Sequence, residues 1–148
     1  PAGAPVMSYV EPKPTLQWQG KPEKREILGH SCQRAEVSFG GRQWIAWFTS
    51  EIPLSEGPYK FGGLPGLILE VADSEGDYRY TCIGIANLSA GENIVRWKWN
   101  QRPTTRKELE KIIVQLYANP EQAIKALGGR MGFKGDPMLN LPYNPIEK

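Results

Sequence analysis

The side chains best suited to chemistry lie next to one another in the segment His30-Ser31-Cys32. His30 is the only histidine of the chain, so any mechanism that needs imidazole as a general base must use it. Side chains two residues apart share a face in an extended segment, which makes a Cys32–His30 dyad of a hydrolase or peptidase conceivable. Ser31 has no nucleophile-elbow pattern around it. The segment is more typical of a structural cysteine beside a surface histidine.

A copper site is a second chemistry that these residue types could support, because Cu(I) favours thiolate and thioether ligands. The available donors are His30, Cys32, Met7, Met131 and Met138. They follow no defined spacing, and methionine usually fills gaps in a hydrophobic core. The sequence therefore predicts no metal site here.

The acidic residues offer two further arrangements. Asp73, Glu75 and Asp77 alternate in a turn that resembles part of a calcium loop, but the twelve-residue pattern and its final glutamate are missing. Glu51 and Glu56 flank a proline-containing loop and could form a glycosidase-like pair, although nothing in the sequence sets their separation. Both groups are more typical of solvent-exposed acidic residues without a functional role. We predict no catalytic residue and no cofactor.

Tryptophan is frequent, with five residues in the chain, and suggests a surface on which a ligand could stack. Trp44 and Trp47 fall on opposite faces of one predicted strand, so they cannot contact the same ligand. Trp97 and Trp99 share a face of the strand predicted at 93–99 and are the candidates for an exposed ligand surface. Core packing is the preferred interpretation for all four, and Trp97 and Trp99 are the best candidates for exposure.

The composition excludes several classes of protein. The 148 residues are enough for a single domain at 1–148, and 40% hydrophobic residues are typical of a globular protein. The net charge is +2, without a stripe of basic residues, so a nucleic-acid partner is not expected. The apolar runs are much shorter than the ~20 residues of a membrane-spanning helix, so no membrane span is expected.

Residue periodicity predicts an α+β fold. Alternation with a period of two predicts strands that form an antiparallel β-meander, either a curved sheet or a half-barrel. The strands fall at 24–28, 32–39, 42–50, 64–73, 78–88 and 93–99. The period then changes to 3.6 for one or two C-terminal helices packed on the sheet. Thr105 and Glu108 make a capping box at the first helix, and Asn119-Pro120 begins the second.

Both ends of the chain are rich in proline or glycine. Residues 1–22 contain five prolines and are predicted to form an extended arm. Residues 130–148 are predicted to form an irregular tail. The ends either wrap a compact middle or extend from it.

A dense group of glycines and prolines precedes the strand at 64–73. Gly62-Gly63 and Pro65-Gly66 make two consecutive backbone corners, and the second suits a type II turn with Gly66 at its third position. A glycine-rich loop that leads into a strand has the wrong order for a phosphate site, which needs a following helix. These four residues are therefore predicted to be a structural turn that directs a core strand, with Leu67, Leu69 and Val71 on one face.

Cys32 and Cys82 lie 50 residues apart and belong to no zinc or redox motif. Their number leaves two possibilities open. They form one disulfide in an oxidising compartment, or they are two small buried residues in the cytosol.

The stretch GLPGLI at 63–68 resembles the GLPGLI family, and the resemblance extends over roughly residues 27–85. Members of that family look like secreted or envelope proteins of Gram-negative bacteria, without an established activity. The resemblance implies the periplasm or outer envelope, a removed signal peptide and a further N-terminal segment of a longer secreted protein. It also favours the Cys32–Cys82 disulfide. It supplies no catalytic residues.

Three functions follow from these observations. The preferred one is a non-catalytic binding or assembly module of the envelope. The alternatives are a periplasmic carrier of an apolar, lipid-like ligand in a half-barrel, and a hydrolase or peptidase that uses His30 and Cys32. The expected partners are another envelope protein or an apolar ligand. A homodimer formed by strand exchange is also predicted, because an incomplete sheet leaves an unpaired edge.

Overall fold

The computed structural model describes residues 6–87, 89, 91, 101–120, 122 and 143–147. The chain divides into two compact units, one of Pro1–Pro12 with Asn93–Asn144 and the other of Lys13–Glu92 with Pro145–Lys148. We call them the helix unit and the sheet unit. The expectation of a single domain at 1–148 stays a prediction.

The sheet unit contains five antiparallel strands in sequence order, β2 to β6. The strands are β2 (Gln19–Ile27), β3 (His30–Phe39), β4 (Arg42–Thr49), β5 (Leu67–Asp73) and β6 (Arg79–Thr81). The predicted α+β fold built on an antiparallel meander is confirmed. The sheet is open and uncurled, with β2 and β6 at its two edges, so it does not close into the half-barrel considered from the sequence.

Turn chemistry explains the central hairpin. Gly40 and Gly41 have φ angles of 58° and 72°, the left-handed conformations that the sequence predicted for a tight turn between β3 and β4. The register that follows pairs Val37 with Trp44 and Ala35 with Ala46. The turn therefore places these four apolar residues on one face.

That face is the core of the sheet unit, and we call it the core face. Its strand residues are buried and mostly aliphatic or aromatic: Ala35, Val37, Trp44, Ala46, Phe48, Ile68 and Val71. Within the described part of the sheet unit, a loop lies over this face. Phe61 and Leu64 of this loop are buried, with 0% and 5% exposure, and belong to the same cluster.

Phe61 is the centre of an aromatic cluster on this face. Its ring centroid lies 4.6 Å from that of Trp44, 6.0 Å from Phe39, 6.3 Å from Trp18 and 6.1 Å from Tyr59. These separations are within the range of favourable aromatic contacts. Packing of this fully buried ring thus helps to hold the loop to the sheet.

A β-bulge corrects one prediction about β5. The register shifts between Trp47 and Phe48, which pair with Glu70 and Ile68, so Leu69 is the extra residue. The expectation that Leu67, Leu69 and Val71 share a face was wrong, because the bulge moves Ile68 into the core with Val71.

The last strand is also shorter than predicted. The pattern at 78–88 predicted one long strand, but β6 covers only Arg79–Thr81. The Cys82 N–H still donates to the Leu69 carbonyl at the bulge, at 2.7 Å. Beyond this point the described residues 83–87 form no strand, and the next N–H of β5, that of Ile68, donates to the Glu56 carbonyl of the loop at 3.0 Å.

The glycine-proline corner packs tightly against the end of β4. The Gly66 N–H donates to the Leu64 carbonyl at 2.8 Å, which makes a γ-turn centred on Pro65 instead of the expected type II turn. A Cβ atom on Gly66 would lie 2.1 Å from the Thr49 carbonyl oxygen. The Trp18 indole N–H donates to the Gly62 carbonyl at 2.8 Å. The corner requires glycine at 66 because two backbone segments meet there.

The helix unit is described in part. Strands β1 (Val6–Ser8) and β7 (Gln101–Pro103) pair in parallel, and helix α1 covers Arg106–Ala118. The predicted capping box of Thr105 and Glu108 is confirmed. None of the described helices is both long and apolar enough to cross a membrane. The predicted strand at 93–99, most of the second helix and most of the 130–148 tail lie outside the described residues.

The proline-rich arm contributes to both units. Residues 19–22 form part of edge strand β2, whose pairing with β3 is irregular between Gly20 and Lys24. Pro22 lies within this irregular part, as expected for a residue without a backbone N–H. Leu16 and Trp18 pack against the core, while residues 1–5 are outside the described part of the chain.

We predict that Gly66→Ala lowers the free energy of unfolding by about 3 kcal/mol, because the new methyl group overlaps the Thr49 backbone. Gly84→Ala is the matched control, since a Cβ there has no atom within 4 Å. It should change the stability by less than about 0.5 kcal/mol. Urea unfolding of both variants measures the difference. Equal stabilities would show that the corner does not need its glycine.

Candidate functional site

A groove with a volume of about 370 Å³ opens on the sheet unit beside β6. Three segments form its wall: the loop at 56–58, the start of β5 and the end of β6 with the residue after it. The lining residues are Glu56, Gly57, Pro58, Leu67, Ile68, Leu69, Tyr80, Thr81 and Cys82. Tyr80 pairs with the core residue Val71, so the groove extends the core face towards the edge of the sheet.

The groove wall is mainly apolar. Burial raises the pKa of the Tyr80 hydroxyl, with a smaller contribution from Tyr78, which indicates a poorly solvated wall. The one carboxylate in the wall, Glu56, forms an ion pair with Lys13 at 2.5 Å. The volume is at the small end of ligand pockets, which span roughly 300–1,000 Å³. The groove can therefore hold an apolar group of moderate size.

The structure pairs His30 with Glu51 and not with Cys32. The Nδ1 atom of His30 lies 2.7 Å from Oε2 of Glu51, and the Ser31 backbone N–H donates to Oε1 at 3.0 Å. These hydrogen bonds, with that to His30 the larger effect, hold the pKa of the Glu51 carboxyl below its usual range. A carboxylate and the imidazole that it orients are two of the three members of a hydrolytic triad.

Cys32 is poorly suited to be the nucleophile of such a triad. Cys32 has 0% exposure, and its thiol donates to the His30 backbone carbonyl at 3.5 Å. Burial raises the pKa of the Cys32 thiol, although Arg25 opposes this effect. A buried thiol with a raised pKa is a poor nucleophile. Cys32 in this structure has the properties of a buried structural residue.

Glu51→Gln is expected to lower the free energy of unfolding near neutral pH but not in acid. A carboxyl whose pKa is lowered by folding stabilises the protein above the ordinary pKa of 4.5, and this contribution is lost as the pH falls through the lowered value. Urea unfolding over this pH range measures it. The exposed Glu26→Gln is the control and should unfold like the wild type. A defect of the Glu51 variant that persists at the lowest pH would contradict the charge-based explanation.

The predicted disulfide does not form in this structure, because Cys32 and Cys82 are both free thiols. Cys32 lies on β3 and Cys82 follows β6, and two strands separate β3 from β6. Three inter-strand spacings amount to about 14 Å. A disulfide requires Cα atoms within roughly 7 Å of each other. The sheet order therefore excludes this pairing within one folded chain.

We expect one thiol to react with Ellman's reagent in the native, non-reduced protein and both to react after denaturation. The native reaction should belong to Cys82, which is partly exposed, and Cys82→Ser should abolish it. Cys32→Ser should leave it unchanged. If denaturation without reductant released no thiol, the two cysteines would be linked and the order of strands would be wrong.

The acidic turn surrounds an arginine. Arg42 Nη1 lies 2.6 Å from Asp73, 3.1 Å from Glu75 and 2.8 Å from Asp77. The three carboxylates come close enough to one another to ligate a cation, but the guanidinium lies among them. The side chains of Arg42 and Asp73 are 1% and 0% exposed. The calcium-like spacing is explained by an ion cluster around the buried Arg42–Asp73 pair, which holds the β5–β6 turn against β4.

The other predicted site residues do not line the groove. Gly62, Gly63, Pro65 and Gly66 form the corner beside it, while its wall comes from the residues before and after them. Trp97 and Trp99 lie outside the described residues, so the predicted ligand surface stays a prediction. Sequence reasoning missed the groove because its residues come from three separate segments. It missed the partner of His30 because Glu51 is 21 residues away.

The chain resembles one family of unknown function over part of its length. A family described as "Protein of unknown function (Porph_ging)" matches residues 40–70. This stretch includes GLPGLI at 63–68, so the match supports a resemblance to an uncharacterised family, but the family that it names is not the GLPGLI family. No curated protein matches the chain.

Two solved structures of PNGF-II, in space groups P21 and C2, show a distant likeness to the chain. Both are 17% identical in sequence, with TM-scores of 0.39 and 0.41, over 68% of this chain. The chain spans 18% of the length of those proteins. At these TM-scores the likeness carries no information about function.

Proposed function

We propose that the protein is a non-catalytic binding module and that the groove beside β6 holds an apolar group of its ligand. The groove itself is the observation that carries this proposal: an apolar concavity of about 370 Å³ that continues the core face. Its polar wall residues are few, and Glu56 already has Lys13 as an ionic partner. Transfer of an apolar group from water into such a wall is favourable.

The form of the sheet restricts the kind of ligand. A carrier that encloses a whole lipid needs a closed or strongly curved sheet, whereas this sheet is open. The groove instead suits one apolar segment, such as part of an acyl chain, with the rest of the ligand in solvent. The hydrolase alternative has less support, because Cys32 is buried. Its thiol donates a hydrogen bond to the His30 backbone carbonyl and not to the imidazole.

The cellular location and partners of this module remain proposals. The resemblance to the GLPGLI family supports the periplasm or outer envelope of a Gram-negative bacterium, with another envelope protein as the source of the ligand. The homodimer formed by strand exchange stays a prediction. Ile83, which follows edge strand β6 and is 95% exposed, is compatible with pairing at that edge.

A dansyl-labelled fatty acid tests the groove directly. We expect saturable binding to the full chain, seen as enhanced dansyl fluorescence. Alkylation of Cys82 with N-ethylmaleimide should weaken binding at least about fivefold, because the adduct fills part of the groove that Cys82 lines.

The matched control carries the same adduct elsewhere. A chain with Cys82→Ser and Ser74→Cys is alkylated at the exposed turn residue 74 and should bind the probe like the unmodified protein. Equal binding by the two alkylated proteins would place the apolar site elsewhere. Absence of saturable binding to the unmodified chain would reject a lipid-like ligand.

A further inference from the structure

The sheet unit holds a short segment from the far end of the chain. Pro145, Ile146 and Glu147 cluster with residues 13–92, although the intervening residues 93–144 belong to the helix unit. Ile146 packs against the hydrophobic core. The segment thus occupies a receptor surface made by residues that are about 90 to 100 positions away in sequence.

The segment is held at both of its ends by polar contacts. The carbonyl oxygen of Pro145 accepts hydrogen bonds from Arg42, from Nε at 3.3 Å and from Nη2 at 3.0 Å. The carboxylate of Glu147 accepts hydrogen bonds from the Tyr59 hydroxyl and from Nζ of Lys60, the latter at 2.6 Å. The Glu147 side chain is only 9% exposed, so its charge is paired in a poorly solvated position.

The receptor surface is shaped for this occupant. A Cβ atom on Gly40 would lie 2.8 Å from Cγ of Glu147, so the hairpin turn can approach the segment only because residue 40 is glycine. Tyr59 has a φ of 55°, which is rare for an aromatic residue, and this conformation accompanies its contact with Glu147. Burial and the Glu147 hydrogen bond raise the pKa of Tyr59 to about 12, so the hydroxyl stays a donor.

We propose that Arg42, Tyr59 and Lys60 form a recognition site for a short peptide segment in which an apolar residue precedes a carboxylate. Residues 145–147 fill this site as an exchangeable ligand from the same chain. The proposal concerns a different surface from the groove beside β6, whose wall contains none of these three residues. It therefore does not depend on the proposed function.

Three chemical features define the ligand class. The Lys60–Tyr59 pair requires a carboxylate, the core surface requires an apolar side chain, and the Arg42 guanidinium requires a preceding backbone carbonyl. Because the segment belongs to the same chain, it competes with an external peptide at an effective concentration of order 1 mM. A partner protein with the same features can displace the segment when its affinity for the site is high enough to compete with this effective concentration.

The test uses the full chain with Ile146→Asp, which removes the apolar anchor and releases the segment. The probe is a fluorescein-labelled peptide Asn-Pro-Ile-Glu-Lys, amidated at its C-terminus and titrated by fluorescence anisotropy. We expect saturable binding to the variant and at least about tenfold weaker binding to the wild type, whose own segment competes. Far-ultraviolet circular dichroism confirms that the variant is folded.

Two substitutions separate recognition from a general loss of structure. A probe with glutamine in place of glutamate should bind at least about tenfold more weakly, because it loses the charge-assisted hydrogen bonds. Adding Lys60→Met to the released chain should have a similar effect, whereas the matched Lys24→Met, at an exposed position on β2, should have none. Each result supports a carboxylate-specific site.

The opposite outcomes would overturn the proposal. Absence of saturable binding to a folded Ile146→Asp chain, or equal affinities of the two probes, would mean that no carboxylate is recognised. Light scattering measures whether the protein is a monomer or a dimer, and so whether the segment in the site can come from a second copy. A wild-type dimer that dissociates upon Ile146→Asp would support the same site, filled by the segment of a second copy.

Discussion

Burial of Phe61 is the interaction on which the sheet unit depends. A single antiparallel sheet with one apolar face must cover that face with a second layer. Within the described part of the unit, the loop that leads to β5 does so, and Phe61 is its fully buried ring. Four aromatic side chains surround this ring, so the loop is held by side-chain packing and not by a regular ladder.

The glycine-proline corner positions that ring. The chain must cross over the core face and then turn sharply to begin β5 beside Thr49. Only a residue without a side chain fits between the corner and the Thr49 carbonyl, and Pro65 stabilises the tight turn before it. The family resemblance at 63–68 therefore coincides with a structural requirement. The corner itself contributes nothing to the wall of the groove.

The two candidate binding surfaces are both consequences of covering a sheet with a loop. The loop at 56–58 covers the core face only in part, and the gap beside Tyr80 becomes the apolar groove. The adjoining residues Tyr59 and Lys60 donate hydrogen bonds to Glu147. The buried cluster of Arg42 with Asp73 fixes the neighbouring turns, because an unpaired charge at either position would be strongly destabilising.

The sequence by itself determined the features that depend on local periodicity. Alternation identified the antiparallel sheet, Gly40-Gly41 identified the central hairpin, and Thr105 with Glu108 identified the start of α1. Only the tertiary structure decided the features that depend on which strands are neighbours. The order of the strands separated Cys32 from Cys82, and the bulge at Leu69 reversed the faces expected along β5. The pairings of His30 with Glu51, Arg42 with Asp73, and Tyr59 with Glu147 join residues 21, 31 and 88 positions apart, and no local pattern encodes contacts over such separations.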